Sequence, residues 1–342
     1  MSSDLDAAFG RMPLAELPTP VSVASLDSLP NACEIAIKRD DLTGLRYGGN
    51  KIRKLEYLLY RARQRGARRV ATFGAIGSNH AVATALCSIN AGFECTCLLA
   101  HQSLKPGLGR ALKIHQSVGT EIVALSGDRR KRVATMRRAL QGRNVFAIPM
   151  GGSSWLGTVG FVNAGLELAA QIEAGECALP ARVYVAFGTM GTAVGIALGL
   201  ALAGLETETH AVRVTETSYA SETAARRLMA KTAMLMRRLD PAIPADLAAR
   251  ASLVCRHEFF GEGYGVSNPE TDRAIDVARE ELGLGIESTY TGKAMRALLT
   301  DLRSGYDRPV LFWNTYNSRP IEIDDELEPD FSVIPEEFRR YF

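Results

Sequence analysis

The sequence predicts an α/β protein with two doubly wound domains, each built on a mostly parallel sheet. Predicted strands alternate with helices of roughly a dozen residues, which is typical of a parallel sheet with helices on both faces. The chain has 342 residues, which is too long for one small core and suits two domains. The strands are also too numerous for one sheet of ordinary size, so we expect two sheets.

The elements follow in a regular order after a proline-rich start. Residues 13–30 contain four prolines and are predicted to form an extended arm over the body of the protein. From there strands and helices alternate. Strands are predicted at 34–39, 69–73, 93–99, 121–125, 145–149, 182–187, 210–216, 252–258 and 309–313. Helices are predicted at 51–66, 79–91, 128–141, 155–174, 269–282 and 292–302. One further helix runs from a loop at 106–107 to about 118, and an apolar helix opens at 188–195. Helices are also predicted between the strands that end at 216 and begin at 252.

Composition and charge exclude several classes of protein. The 40 basic and 38 acidic residues give a formal net charge of +2, which argues against nucleic acid as a partner. The six cysteines show no CxxC spacing, so we expect reduced thiols, with no disulfide framework and no metal site. The N-terminus lacks the features of a signal peptide, and the longest apolar run, 194–205, is too short to span a bilayer. We therefore expect a cytoplasmic protein without a membrane partner.

Lys51 is the first candidate catalytic residue. It follows a Gly-Gly-Asn sequence and precedes a helical pattern, so we expect it at the start of a helix, on a backbone that can turn sharply. The positive end of the helix dipole disfavours a second cation there and gives the lysine a reason to lose its proton. A neutral lysine amine can form a Schiff base with a carbonyl group. The alternative is a helix start with a solvated face of lysine and arginine.

Two glycine-containing loops follow predicted strands, where ligands bind in open parallel sheets. At 77–80 the amides of a helix start attract a carboxylate or phosphate, and Ser78 and Asn79 add short hydrogen-bonding side chains. The alternative for Ser78 is a helix-capping serine that is satisfied locally. At 188–192 closely spaced glycines let the backbone wrap an anion, although the loop is neither a P-loop nor a full GxGxxG motif. The alternative there is close packing of a helix on a sheet.

Three hydroxyl-bearing residues stand at similar positions. Tyr290 precedes a predicted helix, and it can act as an acid or a base if its neighbours shift its pKa toward neutrality. Tyr264, in a glycine-rich segment, and Thr315, after the last strand, allow the same interpretation. The alternative for the tyrosines is packing at a turn. Together with Lys51 and the anion loop, these hydroxyls fit a pyridoxal phosphate site, in which the lysine holds the aldehyde and the glycine loop holds the phosphate.

Four sequence blocks carry a resemblance to a known family. The blocks stand in the order and spacing of that family at 48–56 (GGNKIRKLE), 77–80 (GSNH), 188–195 (GTMGTAVG) and 290–295 (YTGKAM). The sequence resembles the D-cysteine desulfhydrase and 1-aminocyclopropane-1-carboxylate deaminase family, whose members are fold-type II pyridoxal phosphate enzymes akin to the tryptophan synthase β subunit. The resemblance covers essentially the whole chain. It implies a homodimer, with a smaller domain at 52–160 and a larger cofactor-binding domain at 1–51 and 161–342.

The resemblance also implies roles for individual residues. Lys51 would be the Schiff-base lysine and would also take the α proton. Lys54 would hold the phosphate together with the loop at 188–192, and Asn79 would bond to the 3′-oxygen of the cofactor. The implied cofactor-binding residues are Asn50, Lys51, Lys54, Asn79, Gly188, Thr189, Met190, Gly191, Thr192 and Thr315. The implied substrate-binding residues are Ser78, Asn79, His80, Tyr264, Tyr290, Thr291 and Tyr316. The residues implied to be catalytic are Lys51, Ser78, Tyr264 and Tyr290.

Two residues bear on the reaction that the resemblance implies. Thr291 stands where the deaminase branch typically has glutamate, which keeps the pyridine nitrogen of the cofactor protonated. The desulfhydrase branch has threonine there, and a hydroxyl near Thr315 faces the pyridine nitrogen. A hydroxyl does not keep that nitrogen protonated, so the pyridine ring is a weaker electron sink. A weaker sink suffices for β-elimination. His80 also matches the desulfhydrase branch, because the deaminases tend to have glutamine. We therefore expect α,β-elimination on a small β-substituted amino acid, with D-cysteine giving pyruvate, sulfide and ammonia as the first choice.

Other substrates and functions stay open. The runner-up is deamination of 1-aminocyclopropane-1-carboxylate, and cysteate or a specialised biosynthetic amino acid are further options. The rival from another class is a catalytically silent protein that keeps the fold for amino-acid binding or assembly. Intact Lys51, Ser78, Asn79 and Tyr290 argue against that rival.

Three departures from the family pattern lie near the expected site. The family usually reads His-Thr-Gly-Gly after the last strand, where this chain reads Asn-Thr-Tyr-Asn, so Tyr316 and Asn317 replace two glycines. Residues 81–84 lack an arginine that relatives often carry, and residues 287–289 read Glu-Ser-Thr instead of Asp-Pro-Val. The cofactor chemistry is expected to be intact, whereas the substrate is the open question.

Overall fold

The computed structural model describes residues 5–29, 33–324 and 326–342, which contain ten strands in two sheets. The strands are β1 (Val21–Leu26), β2 (Cys33–Lys38), β3 (Arg69–Ala75), β4 (Glu94–Ala100), β5 (Glu121–Leu125), β6 (Val145–Ala147), β7 (Arg182–Phe187), β8 (Glu208–Arg213), β9 (Leu253–Arg256) and β10 (Val310–Trp313). The larger sheet has the order β1-β2-β10-β7-β8-β9, and the smaller has the order β5-β4-β3-β6. Neighbouring strands run parallel except for β1 and β2. The predicted α/β class with two mostly parallel sheets is therefore confirmed.

Helices join the parallel strands, because a parallel pair needs a crossover connection. The helices are α1 (Leu5–Phe9), α2 (Lys51–Gln64), α3 (Asn79–Asn90), α4 (Leu108–Ser117), α5 (Arg129–Ala139), α6 (Trp155–Glu173), α7 (Gly191–Leu202), α8 (Glu222–Leu239), α9 (Leu247–Arg250), α10 (Pro269–Glu280) and α11 (Thr291–Arg303). Short 3₁₀ turns lie at Asp40–Leu42, Met150–Gly152 and Glu336–Tyr341. None of the helices within the described ranges combines the length and the apolar character that crossing a bilayer requires. The proposed division into domains at residues 51 and 161 stays a prediction.

The prediction of an extended arm at residues 13–30 is wrong for residues 21–26. Residues 21–26 form β1, which pairs antiparallel with β2 at the edge of the larger sheet. The prolines lie outside β1, so every residue of the strand keeps its backbone donor. Pro30 itself lies outside the described residues. Elsewhere the strand ends differ from prediction by up to three residues, since pairing partners set where a strand stops.

Two glycine-lined helix contacts bring the parts of the site together. α6 and α7 pack so closely that a Cβ atom at Gly199 would lie 2.3 Å from the carbonyl oxygen of Val162. On the other side of α6, a Cβ atom at Gly160 would lie 2.2 Å from the carbonyl oxygen of Arg53, in the first turn of α2. Glycine is needed at both places because the backbones touch. The start of α2 is thus held at a fixed distance from α6 and α7.

A buried ionic network, not foreseen from the sequence, fixes the first turn of α2. The guanidinium of Arg53 is 1% exposed and donates hydrogen bonds to Asp40 at 2.8 Å and to Glu167 at 2.8 Å. Lys38 lies 2.6 Å from the same carboxylate of Glu167, and the indole of Trp313 donates to Asp40 at 2.8 Å. Charges this deeply buried persist only when they are paired and hydrogen-bonded. The network therefore ties α2 to β2, β10 and α6.

Candidate active site

A cavity of about 610 Å³ opens at the carboxyl ends of strands from both sheets. The residues predicted to form the site line this cavity, with the exception of Gly191. Gly191 begins α7 at the edge of the cavity, and its amide donates to the hydroxyl of Ser153 at 3.3 Å. The structure therefore brings together predicted site residues that lie up to 266 positions apart in the chain, from Asn50 to Tyr316.

The position of Lys51 at the start of α2 depends on the two glycines before it. A Cβ atom at Gly48 would lie 1.8 Å from the carbonyl oxygen of Asp41. Gly49 has a φ of +88°, which residues with a Cβ atom rarely adopt. The backbone can therefore turn sharply into the helix at this point. Burial lowers the pKa of Lys51 to about 8, against the opposing effect of the Glu287 carboxylate. The amine therefore loses its proton more readily near neutral pH than that of an ordinary lysine.

The loop between β7 and α7, residues 188–192, has features that suit an anion, and we refer to it as the cradle. α7 has no capping side chain at Met190, and apart from the Ser153 hydroxyl at the amide of Gly191, no side chain among the described residues bonds to an amide of its first turn. Met190 has a φ of +70°, and the amide of Gly191 donates to the carbonyl of Thr189 at 2.9 Å, which makes a γ-turn. Asn50 donates to the hydroxyl of Thr192 at 2.9 Å, which links this loop to the start of α2.

Lys54 reaches the same cradle from one turn along α2. Its ammonium lies 3.1 Å from the hydroxyl of Ser153 and 3.2 Å from the carbonyl oxygen of Gly151. Ser153 is also 2.8 Å from the hydroxyl of Thr189. Burial and the nearby charge of Lys51 hold the pKa of Lys54 well below its usual value. Ser153 was not among the site residues predicted from the sequence. The Gly-Gly-Ser-Ser run after a predicted strand is the sequence signal that indicates it.

The loop before α3 presents a serine, an asparagine and a histidine to the cavity. The hydroxyl of Ser78 accepts a hydrogen bond from the amide of Ala81 at 3.3 Å, so this serine does cap α3, and among the described residues its hydroxyl donates to no acceptor. His80 is buried, with Nε2 at 2.9 Å from the hydroxyl of Thr72. Burial, followed by the charges of the two lysines, holds the pKa of His80 well below its usual range. His80 is therefore neutral, and its Nδ1 has no hydrogen-bond partner within the described part of the chain.

Tyr264 and Tyr290 form a hydroxyl pair with their oxygens 2.5 Å apart. Burial raises the pKa of both tyrosines, and the nearby Glu287 carboxylate raises both further. This is opposite to the shift toward neutrality on which the acid or base prediction depended. Both hydroxyls are protonated at neutral pH and can donate hydrogen bonds, but their raised pKa makes them weak acids.

Glu287 is the residue at the site that sequence analysis recorded only as a departure. Its carboxylate lines the cavity and accepts hydrogen bonds from the amides of Thr289 and Tyr290 at 2.7 Å and of Thr291 at 3.0 Å. These bonds cap α11 and fix the carboxylate. The hydroxyl of Thr291 in turn accepts from the amide of Glu287 at 3.0 Å. The Glu-Ser-Thr sequence thus places a negative charge beside the tyrosine pair.

The two residues that replace glycines after β10 have different surroundings. The side-chain oxygen of Asn317 accepts a hydrogen bond from the amide of Gly48 at 2.6 Å, which ties this loop to the glycine pair before Lys51. Tyr316 lines the cavity, and burial raises the pKa of its hydroxyl. Asn317 therefore supports the backbone around the lysine, whereas Tyr316 narrows the space open to a ligand.

These residues fit a cofactor that carries a carbonyl group and an anion, as pyridoxal phosphate does. Lys51, Lys54 and His80 concentrate basic groups at one place, and the pKa of each is lowered. Within the described residues neither lysine forms an ion pair, and the first-turn amides of α7 add further positive potential. A phosphate ester in the cradle would supply the missing negative charge, and Lys51 would meet its carbonyl carbon.

Comparisons with known proteins agree with this geometry. The family model described as "Pyridoxal-phosphate dependent enzyme" matches residues 12–315. D-cysteine desulfhydrases of Salmonella schwarzengrund (strain CVM19633) and Salmonella newport (strain SL254) are each 34% identical over 320 residues, covering 90% of this chain and 94% of theirs.

Solved structures show the same relationship. An ACC deaminase homologue is 28% identical to this chain, with a TM-score of 0.74 over 93% of this chain and 96% of its own. A threonine deaminase from T.th. is 19% identical, with a TM-score of 0.63 over 94% of this chain and 99% of its own, and it shares the fold alone.

Proposed function

Because this chain belongs to the family of pyridoxal-phosphate-dependent enzymes, we propose that it is a lyase that catalyses α,β-elimination on a small β-substituted amino acid. Pyridoxal 5′-phosphate is its cofactor. D-Cysteine is the first substrate to test, with water as co-reactant and with pyruvate, sulfide and ammonia as products. The bond between the β carbon and sulfur breaks, and sulfur leaves with the bonding electron pair.

One observation carries the proposal. The amine of Lys51, the anion cradle at the start of α7 and the capped start of α3 open into one cavity. An amine with a pKa of about 8 suits attack on a carbonyl carbon near neutral pH. The similarity to D-cysteine desulfhydrases supports elimination as the reaction, and Thr291 supports it over ring opening.

We assign the following tasks to the residues of the cavity. Lys51 would hold the cofactor through its carbonyl carbon, and its amine, free again once the substrate amine takes that place, would move the proton of the substrate α carbon. Lys54 and the first-turn amides of α7 hold the phosphate. Ser78 and Asn79 orient the substrate carboxylate at the start of α3. When bound, pyridoxal phosphate withdraws electron density from the α carbon, which no side chain of the protein can do.

The hydroxyl pair acts on the side of the leaving group in this proposal. Tyr264 and Tyr290 are both protonated, so either can donate a hydrogen bond to the sulfur as it leaves. Burial keeps the pair protonated, and the fixed carboxylate of Glu287 adds to this effect by disfavouring a second negative charge. Tyr316 lies in the cavity wall beside the pair and would contact the substrate there.

The main experiment separates the two reactions of the family. The purified protein with pyridoxal phosphate is given D-cysteine, L-cysteine and 1-aminocyclopropane-1-carboxylate in turn, and the keto acid is identified. Pyruvate with sulfide from cysteine supports the proposal. Formation of 2-oxobutyrate from the cyclopropane substrate, without pyruvate from cysteine, would replace it by the deaminase reaction.

A second experiment tests Lys51 itself. Lys51→Ala is expected to lose both activity and the visible absorbance of the lysine-bound cofactor. Lys131→Ala, on the exposed helix α5, is the matched control and should keep both. A Lys51→Ala protein that retains that absorbance would show that another lysine holds the cofactor.

We also propose that the protein is a homodimer, as the family resemblance implies. Static light scattering of the purified protein should give about twice the chain mass of 37.0 kDa. A mass of one chain at micromolar concentration would contradict this assembly.

A further inference from the structure

A second cavity, of about 360 Å³, adjoins the first on the side away from the anion cradle. The residues that line both cavities are Tyr47, Asn79, Tyr264, Glu287, Tyr290, Tyr316 and Asn317. Lys51 and the residues of the cradle line only the first. A substrate whose amino and carboxyl groups occupy the first cavity can therefore extend its β-substituent past the tyrosines into the second.

The second cavity carries two cations that the proposed mechanism does not use. Lys105 and Arg110 line its wall and do not line the first cavity. In the described ranges of the chain neither forms an ion pair, and the hydrogen bond that Arg110 makes goes to the neutral carbonyl of Ile321 at 2.8 Å. The ammonium of Lys105 lies close to Gly265, where a Cβ atom would come within 2.7 Å of it.

The carboxylate that lines this cavity does not offset these charges by direct contact. Glu287 is committed to the three backbone amides at the start of α11. The positive potential also reaches the neighbouring Lys293, whose pKa is lowered to about 8 by burial first and by the charge of Lys105 second. Lys293 donates to the carbonyl of Phe260 at 2.5 Å and so is already satisfied. Lys105 and Arg110 remain available to a ligand.

The size of the second cavity also exceeds what cysteine needs. A thiol adds one heavy atom to the β carbon, whereas 360 Å³ corresponds to roughly a dozen water molecules at their liquid volume. With cysteine bound, this space would hold water, and its two cations would contact no part of the substrate. A longer, negatively charged substituent would use both the volume and the charge.

We infer that the second cavity receives the β-substituent of the substrate, and that this substituent ends in an oxyanion held by Lys105 and Arg110. The chemical class is a β-substituted alanine with a terminal carboxylate, sulfonate or phosphate. The inference rests on the proposed elimination and narrows its substrate. The substituent leaves the β carbon with the bonding electron pair, as sulfur does in the cysteine reaction.

The test compares an acidic with a neutral substituent of similar length. O-phosphoserine and O-acetylserine, each as the D and L enantiomer, are assayed by pyruvate release, with β-chloroalanine as a small neutral reference. The variants are Lys105→Gln, Arg110→Gln and the double variant. Lys113→Gln, in the same helix as Arg110 and outside both cavities, is the matched control.

The wild-type protein should prefer O-phosphoserine over O-acetylserine. The double variant should lose about ten- to a hundredfold in kcat/KM for O-phosphoserine, mainly through KM, because charge-assisted hydrogen bonds are lost. Its kcat/KM for O-acetylserine and β-chloroalanine should change by less than about threefold, since neither substrate meets the lost charges. Unchanged visible absorbance of the bound cofactor in the variants would show that folding is intact.

Two results would overturn the inference. One is a wild-type enzyme that shows no preference for the acidic substrate, and the other is an equal loss on all three substrates in the double variant. Either result leaves the proposed elimination standing as long as β-chloroalanine yields pyruvate. Absence of pyruvate from every β-substituted alanine would instead reject the proposed function itself.

Discussion

Replacing Glu167 by glutamine should destabilise the protein strongly, although this residue lies outside the cavity. Glu167 is the shared partner of Arg53 and Lys38 in the buried network that holds the first turn of α2. Glutamine keeps the shape of the side chain and removes its charge. The two cations then stay buried with Asp40 as the remaining carboxylate of the network. Removing one partner of a buried ion pair costs about 3–5 kcal/mol.

The pKa of Glu167 gives a second way to calculate how much stability the substitution removes. Burial alone would raise this pKa, but the charges of Arg53 and Lys38 outweigh it and lower it from 4.5 to about 2. That change corresponds to about 3 kcal/mol of stabilisation, within the range for a broken buried pair. Because the pKa in the folded state lies below that in the unfolded chain, the stabilisation is complete above pH 4.5. It is lost as the pH falls toward 2.

The assay is reversible urea denaturation followed by circular dichroism, at pH 7 and at pH 3.5. At pH 7 Glu167→Gln should lower the free energy of unfolding by about 3–5 kcal/mol. At pH 3.5 the difference from the wild type should shrink by about 1 kcal/mol, because the unfolded wild-type chain now binds the proton. Glu173→Gln, on the exposed face of α6, is the control and should change stability by less than about 0.5 kcal/mol. A loss below about 1 kcal/mol at pH 7, or a loss that does not depend on pH, would refute the reasoning.

Three further outcomes follow from the geometry. The rate at which the cofactor-free protein takes up pyridoxal phosphate, followed by absorbance, should rise with pH and level off above about 8, since Lys51 must be neutral to react; a flat profile from pH 6 to 10 would contradict this. Gly191→Ala should weaken cofactor binding measured by equilibrium dialysis, because its Cβ would lie 2.8 Å from the hydroxyl of Ser153; unchanged affinity would refute the cradle. Gly199→Ala should lower the free energy of unfolding by about 1–3 kcal/mol through overpacking, whereas Gly285→Ala, with open space around it, should be close to neutral; equal effects would contradict the proposed contact.

The parts of the fold that could be predicted from the sequence are those with local signals. The alternation of strands and helices repeats along the chain, and it predicted two mostly parallel sheets. The helix start at Lys51 was predictable because two glycines and an apolar face adjoin it in sequence. The strand β1 was missed because the prolines around it dominated the interpretation of that segment. Only its pairing with β2 distinguishes it from an extended arm.

The parts that could not be predicted depend on residues distant in sequence. Arg53 and Glu167 are 114 positions apart, and nothing local to either indicates that they meet in the core. The direction of the tyrosine pKa shifts likewise depends on burial and on the approach of Glu287. Glu287 was visible as a departure from the family pattern, but the hydrogen bonds that fix its carboxylate exist only once α11 has formed.

The γ-turn at Met190 bears on how the protein could be engineered. A non-glycine residue in this backbone conformation stores of the order of 1–3 kcal/mol of strain. A selection for heat resistance would favour changes that relax this turn, because they release the stored energy. The same changes would move the amides at the start of α7 away from the position proposed for the phosphate. Thermal robustness and retention of the cofactor thus compete at Met190, and stabilising substitutions placed far from α7 avoid that conflict.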